Sequence, residues 1–315
     1  MFKVLKQCNA FIVKETDLKH GTAALDAYAY SISNILVGNP ELSPALEVTK
    51  GFVELEFLED AIISVTGKAY VLLDRKPLKN LWECIPVRKG SKISISTEEE
   101  GSVAYMAIAG EIPLPPKTPH PGRYSLAPGD VIEPRLTTMP FEELLLEVPA
   151  RHLPPSYIPT VDNFDLKLVL LSEADNALKD YALADKDPVM GVVLEPKGTV
   201  PVSDLEEMDP PLGGVICEKH RLVALSHPSN EEQPLLGFLP RNSIDMLSRI
   251  PLGAKISFKR ISPLLAVREE EAYARLIHKV KRIIEMAVNA LRRGATLVRL
   301  HFGHKFYEAW VEELS

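Results

Sequence analysis

"FVELEFLEDAIISVTGKAYVLLD", residues 52–74, decides the fold class. Val53, Leu55 and Phe57 alternate with Glu54 and Glu56, which is the period of a strand with one buried face. "AIISVTG" (61–67) and "AYVLLD" (69–74) follow as short β-branched and aromatic runs, separated by acidic and glycine-containing turns. "SKISIS" (91–96) and "VAYMAIA" (103–109) continue the pattern. Short strands punctuated every several residues predict an antiparallel sandwich or barrel.

The chain has 315 residues, enough for two ordinary domains. It is 46% hydrophobic and 25% charged, the balance of a globular protein, and its net charge of −7 argues against a general nucleic-acid binder. No apolar run reaches the length of a membrane span, and "MFKVLKQCNAFIVKE" lacks the apolar core of a signal peptide. It reads as a first strand. Cys8, Cys84 and Cys217 are too few and too scattered for a disulfide framework, so a cytoplasmic setting is expected. The two glutamines, Gln7 and Gln233, against many Glu and Lys suggest a thermophile.

Prolines cluster at 110–130, 148–160 and 207–214. The region 140–160 closes one strand set, and "DLKLVLLS" (165–172) opens another that runs through "VMGVVLEP", "GGVICE", "LVALSH" and "AKISFKRIS". "RKGSKISIS" (88–96) and "PLGAKISFKRIS" (251–262) punctuate the two halves alike, suggesting related β domains at 1–145 and 146–265. Helical spacing of Leu25, Tyr28, Ile32 and Leu36 predicts a helix over 24–38 ending at Gly38. "NSIDMLSRIPLG" (242–253) reads as a second helix, with Asn242 as N-cap and Pro251 closing it. From 266 a long helix is expected, with Leu276, Val280, Ile283, Ala287 and Leu291 as its apolar stripe, three glutamates in its first turn and Gly294 as its stop. A hairpin over the last residues, turning at Gly303-His304, completes a C-terminal unit at 266–315.

Chemistry-bearing motifs are sparse. His301 with His304, and Cys217 with His220, have the spacing of metal ligands, but no further ligands stand near, so no metal site is assigned. Cys217 lies in an apolar run and reads as a buried structural thiol. No phosphate-binding glycine loop and no nucleophile elbow is present. The segment 268–293 carries seven basic and four acidic side chains and reads as a solvated face over a packed stripe. Arg123, between turn glycines, reads by default as a surface arginine.

The segments themselves resemble a known family. "LDAYAYSISNILVGNPELSPALEVTKG" (25–51) is similar to a stretch of the allophanate hydrolase subunit 2 family, also called the biotin-dependent carboxyltransferase or 5-oxoprolinase C-subunit family. Asp26, Asn34, Gly38, Asn39, Ala45, Leu46, Glu47 and Thr49 stand as in that pattern. Thr66, Gly67, Pro77, Trp82, Val87 and Gly90 agree further on, as do "GSVAYMAIAGEIPLP" (101–115) and "GRYSLAPGDVI" (122–132). In the second half, "MGVVLEP", residues 211–240 and "RIPLGAKISFKRIS" follow the family's order, so that the resemblance covers roughly residues 1–265.

The departures are polar. The family's N-terminal arginine motif has become "TDLKHG" (16–21), keeping Asp17. "RHLPPSY" (151–157) keeps Arg151 but lacks a glycine and a glutamine. Val189 and Val193 replace charged positions, Cys217 replaces a glutamine, and "LLGFLP" (235–240) lacks two threonines and a tyrosine. Glu111 stands where the family has a second glycine, which marks relaxed constraint rather than a new base.

The resemblance implies a mainly β fold: two tandem cyclophilin-like β-barrel domains, with the helix and hairpin added. It implies a subunit of an ATP-dependent amidohydrolase or carboxyltransferase-type complex, such as one converting 5-oxoproline to glutamate, paired with a second β-barrel subunit. Self-association is left open, and nucleic acid and membrane are not expected as partners. No cofactor is expected in this chain, with ATP used at the level of the complex, and no catalytic residue is assigned. The matched polar residues Asp26, Asn34, Glu47, Thr66, Arg123 and Arg151 are the substrate-binding candidates, the arginines for a carboxylate that a guanidinium fork suits. The alternative is a non-catalytic, diverged subunit or regulator that keeps the scaffold and binds the partner subunit.

Overall fold

The computed structural model describes residues 1–14, 24–97, 102–114, 123–135, 140–161, 164–171, 181–187, 191–197, 205–218, 221–225, 229, 231–302 and 305–312. The first half contains β1 (Phe2–Val13), α1 (Ala27–Leu36), β2 (Ala45–Phe57), β3 (Ala61–Gly67), β4 (Tyr70–Leu73), β5 (Lys76–Pro77), β6 (Cys84–Val87), β7 (Lys92–Ser96), β8 (Val103–Ile108), β9 (Arg123–Ser125), β10 (Val131–Ile132) and α2 (Phe141–Glu147). The second contains β11 (Asp165–Leu170), β12 (Tyr181–Asp187), β13 (Gly191–Pro196), β14 (Glu207–Met208), β15 (Gly214–Glu218), β16 (Arg221–Leu225), β17 (Gln233–Phe238), α3 (Arg241–Arg249) and β18 (Lys255–Arg260). The long α4 (Pro263–Arg292) and the hairpin β19 (Thr296–Phe302) and β20 (Lys305–Val311) end the chain.

The fold is mainly β, as the sequence predicts, with two sheets in tandem and a C-terminal helix and hairpin. The sheets differ in closure. In the second, β11 pairs with β18 on one side and β17 on the other, closing a seven-strand ring in the order β11-β18-β12-β13-β16-β15-β17. The first runs β5-β4-β7-β2-β8-β3-β6, with β1 laid along β2, and forms a half-barrel.

That open sheet buries both faces over part of its area. Leu46, Val48, Val53, Leu55 and Phe57 of β2 point into one core with Phe2, Ile12 and Met106. Ala45, Glu47 and Thr49 point the other way and are also buried, because α1 lies across that face. Every residue of α1 is buried. The helix ends as predicted. Gly38 adopts φ +81°, its N–H donates to the Ile35 carbonyl at 3.1 Å, and the Asn39 N–H donates to the Asn34 carbonyl at 3.0 Å. These are the paired bonds of a glycine-terminated helix.

Three helix expectations are corrected. α3 begins at Arg241 after Pro240, so Asn242 lies inside the helix and caps nothing. α4 begins at Pro263, with the Ser262 hydroxyl accepting from the Leu265 N–H at 3.3 Å, so Glu269–Glu271 fall beyond its first turn. Its buried positions are Ala266, Val280, Ile284, Ala287, Val288 and Ala290, while Leu276 is exposed. Val280 and Ala287 are buried as expected, Ile284, Val288 and Ala290 join them, and the stretch between Ala266 and Val280 is mostly exposed.

Candidate functional site

All six candidate residues converge on α1. Strand register aligns two of them: Glu47 on β2 lies opposite Tyr105 on β8, and Tyr105 lies opposite Thr66 on β3. This row runs under the helix. The Thr66 hydroxyl donates to the Ala29 carbonyl at 2.7 Å. Asp26 caps the helix by accepting from the Ala29 N–H at 2.9 Å. Its own N–H donates to the Tyr105 hydroxyl at 2.9 Å, which in turn donates to Glu47 Oε2 at 2.6 Å. Glu47 also accepts from the Leu25 N–H and the Thr49 hydroxyl. Arg123, on β9 opposite Val13, places Nη1 2.5 Å from Glu47 Oε1. It is buried, not the surface arginine that its loop setting suggests, because the register of β1 with β2 and β9 carries it over Glu47.

The second half completes this end of the helix. The Asp245 carboxylate, from α3, accepts from the Ala27 and Tyr28 N–H groups at 2.9 and 3.1 Å and from the Tyr273 hydroxyl of α4 at 2.5 Å. Arg249 forks onto Asp26 at 2.6 and 2.8 Å, and Arg241 Nε lies 3.5 Å from Asp245. Burial, then the Asp26 charge, holds the Asp245 carboxyl above the usual carboxylate range, against Arg241, Arg249 and the Tyr273 hydrogen bond. Burial keeps the Tyr105 and Tyr273 phenols protonated far beyond their ordinary range, so both act as donors. Lys186, fully buried, donates from Nζ to the Ser248 carbonyl at 2.6 Å. Burial pushes its ammonium down to about 7; Asp26 opposes that shift, and Lys68 and Lys50 add to it. Three carboxylates, three guanidiniums and an amine thus gather where the two halves meet. Such a helix terminus suits anions, and here the chain's own carboxylates occupy it.

The opposite end of α1 is simpler. Arg151 donates from Nη1 to the Leu36 carbonyl at 3.1 Å and from Nε and Nη2 to Glu147 Oε2 at 2.9 and 2.6 Å. Arg292 of α4 donates to the other Glu147 oxygen from Nε at 2.7 Å. The Cys84 thiol donates to the same Leu36 carbonyl, and burial pushes that thiol up to about 12. Asn34 donates to the Ser43 carbonyl at 2.8 Å and accepts from Asn39, which also donates to the Ile108 and Gly110 carbonyls.

Asp26, Glu47, Thr66 and Arg123 therefore share the amino end, while Asn34 and Arg151 serve the carboxyl end. Sequence reasoning missed Asp245, Arg249, Tyr273 and Lys186. The Arg249–Asp26 pair joins residues separated by 223 positions, which no local spacing reports. Glu111 is exposed and contributes backbone: its N–H and carbonyl bridge Arg135, whose carbonyl lies where a Cβ on Gly110 would stand, at 2.5 Å. Cys217 is buried, as expected. His220, His304 and the stretch 16–21 lie outside the described residues. No helix among the described residues is long and apolar enough to cross a membrane.

Residues 21–118 match the model of the carboxyltransferase domain, subdomain A and B. The chain is 34% identical over 104 residues to the 5-oxoprolinase C-subunit of Escherichia coli, a match covering 33% of each chain. It is 37% identical over 93 residues to the 5-oxoprolinase C-subunit of Haemophilus influenzae, covering 29% of this chain and 30% of the relative. The chain thus matches about a third of the length of these curated relatives. In structure it is similar to the urea amidolyase of Kluyveromyces lactis, with a TM-score of 0.70, 18% identity, and coverage of 89% of this chain and 20% of that one. That likeness establishes the fold over both halves.

Proposed function

From the premise that residues 21–118 carry a carboxyltransferase domain of the subdomain A and B family, we propose that the chain is one subunit of a multi-subunit enzyme resembling 5-oxoprolinase, acting with a partner β-barrel subunit in ATP-dependent opening of 5-oxoproline to glutamate. The observation that carries this reading is the junction at the amino end of α1. Charged side chains from both halves converge there around donors that a small carboxylate- or amide-bearing substrate also needs. Arg249, the most exposed guanidinium of this junction, is the group through which such a substrate would be oriented, and ATP would be used by the assembled complex.

A second reading, a non-catalytic subunit that keeps the scaffold and binds the partner, draws on a different observation. Arg123 and Arg151, the residues suited to carboxylate recognition, are held by the chain's own Glu47 and Glu147. The test is purification of the tagged chain with its partner from the native host, followed by assay of 5-oxoproline-dependent ATP hydrolysis. Turnover in the complex, lost with Arg249→Ala while the partner stays bound, is expected. A stable complex without turnover would replace the first reading by the second.

A further inference from the structure

A cavity of about 580 Å³ lies between α1, α3 and the first half of α4, within the size range of small-molecule sites. α4 is buried at Ala266 and again from Val280 onward, and between those points Glu270 and Tyr273 tie it to α3 while its mostly exposed residues wall one side of the cavity. Leu42, Phe238, Leu239, Ile244 and Ile277 make most of its wall apolar. Polar groups break that wall on the α1 side and toward solvent. The Ser31 hydroxyl is on the α1 side; the residue is 3% exposed, and its hydroxyl has no hydrogen-bond partner among the described residues. Ser33, two positions on, satisfies its hydroxyl on the Tyr30 carbonyl at 2.7 Å, so the helix does not itself prevent pairing. The hydroxyl opens into the cavity, where a polar group of a bound molecule can reach it in place of water. At the rim, Glu41 makes no ion pair among the described residues, and Glu270 accepts from the Arg241 N–H across the gap. Arg241 is turned toward Asp245, and His278 completes the rim.

We propose that this cavity binds a small apolar ligand that carries a hydrogen-bonding group for Ser31 and a cationic end for Glu41. Much of the lining comes from α4, outside the residues matched to the carboxyltransferase family, and the site needs neither the partner subunit nor turnover. It therefore stands or falls separately from the proposed enzyme activity.

The probe is N-phenyl-1-naphthylamine, which fluoresces in apolar surroundings and carries one N–H. The full-length chain is expected to enhance its fluorescence saturably. Ala274→Trp, an exposed substitution that fills the cavity, is expected to weaken binding about tenfold or more, and Ser31→Ala about fivefold, through loss of one hydrogen bond. Decylammonium is expected to displace the probe at about a tenth of the concentration that decanoate requires, and Glu41→Gln to remove that preference. No saturable binding, binding unchanged in Ala274→Trp with an unaltered circular dichroism spectrum, or equal displacement by the two chains would overturn the proposal.

Discussion

The two ends of α1 are held by different means. At the carboxyl end, a carboxylate four residues from its arginine, Glu147 with Arg151, is joined by Arg292, whose side chain is 53% exposed. At the amino end, Asp26, Glu47 and Asp245 meet Arg123, Arg249 and Arg241 from both halves of the molecule, and almost all of these side chains are out of water. The contrast separates a clamp from a junction. A mostly exposed arginine on a carboxylate adds little, whereas a buried charge that loses its partner is left uncompensated in a low dielectric.

The largest effect is expected for Arg123→Ala, which leaves Glu47 buried with hydroxyl and N–H donors only. A loss of about 3–5 kcal/mol is expected in denaturant unfolding. Arg249→Ala is expected to cost about 3 kcal/mol, since Asp26 and Asp245 both lose a guanidinium. Lys186 makes the stability of this end depend on pH. Its folded-state pKa, about 7, lies below the ordinary 10.5, so between those values the unfolded chain holds more protons and stability rises with pH. The cost of the buried ammonium is fully present below pH 7 and relieved by pH 10.5. Lys186→Met is expected to remove up to about 1.4 kcal/mol per pH unit of that slope in unfolding curves at pH 7.5 and 9. Thr66→Val should cost about 1–2 kcal/mol, by leaving the Ala29 carbonyl without its hydroxyl donor. The smallest effect is expected at the other end, where Arg292→Ala should change stability by under about 1 kcal/mol.

Much of this architecture is legible in the chain. Alternation over 52–74, the end of α1 at Gly38, the long helix and the final hairpin all follow from local rules of spacing and turn chemistry. The start of α4 is also written there, in Ser262 followed by Pro263, three residues before the expected start at 266. Sheet closure is not legible, because the β11 pairings with β17 and β18 depend on partners far along the chain. The candidate site shows the same division. Matched polar residues mark Asp26, Glu47 and Thr66, but their common purpose appears only when register stacks Glu47, Tyr105 and Thr66 beneath one helix. Arg123 escapes a local reading because its burial comes from that register and not from its neighbours in sequence.

Amide hydrogen exchange across α1, in the wild type and in Arg249→Ala, tests the junction most directly. Protection is expected throughout the helix in the wild type, with Arg249→Ala accelerating exchange at Ala27, Tyr28 and Ala29 while Ile35 and Leu36 stay protected. Equal acceleration at both ends, or none at the amino end, would contradict the claim that charges from both halves hold that terminus.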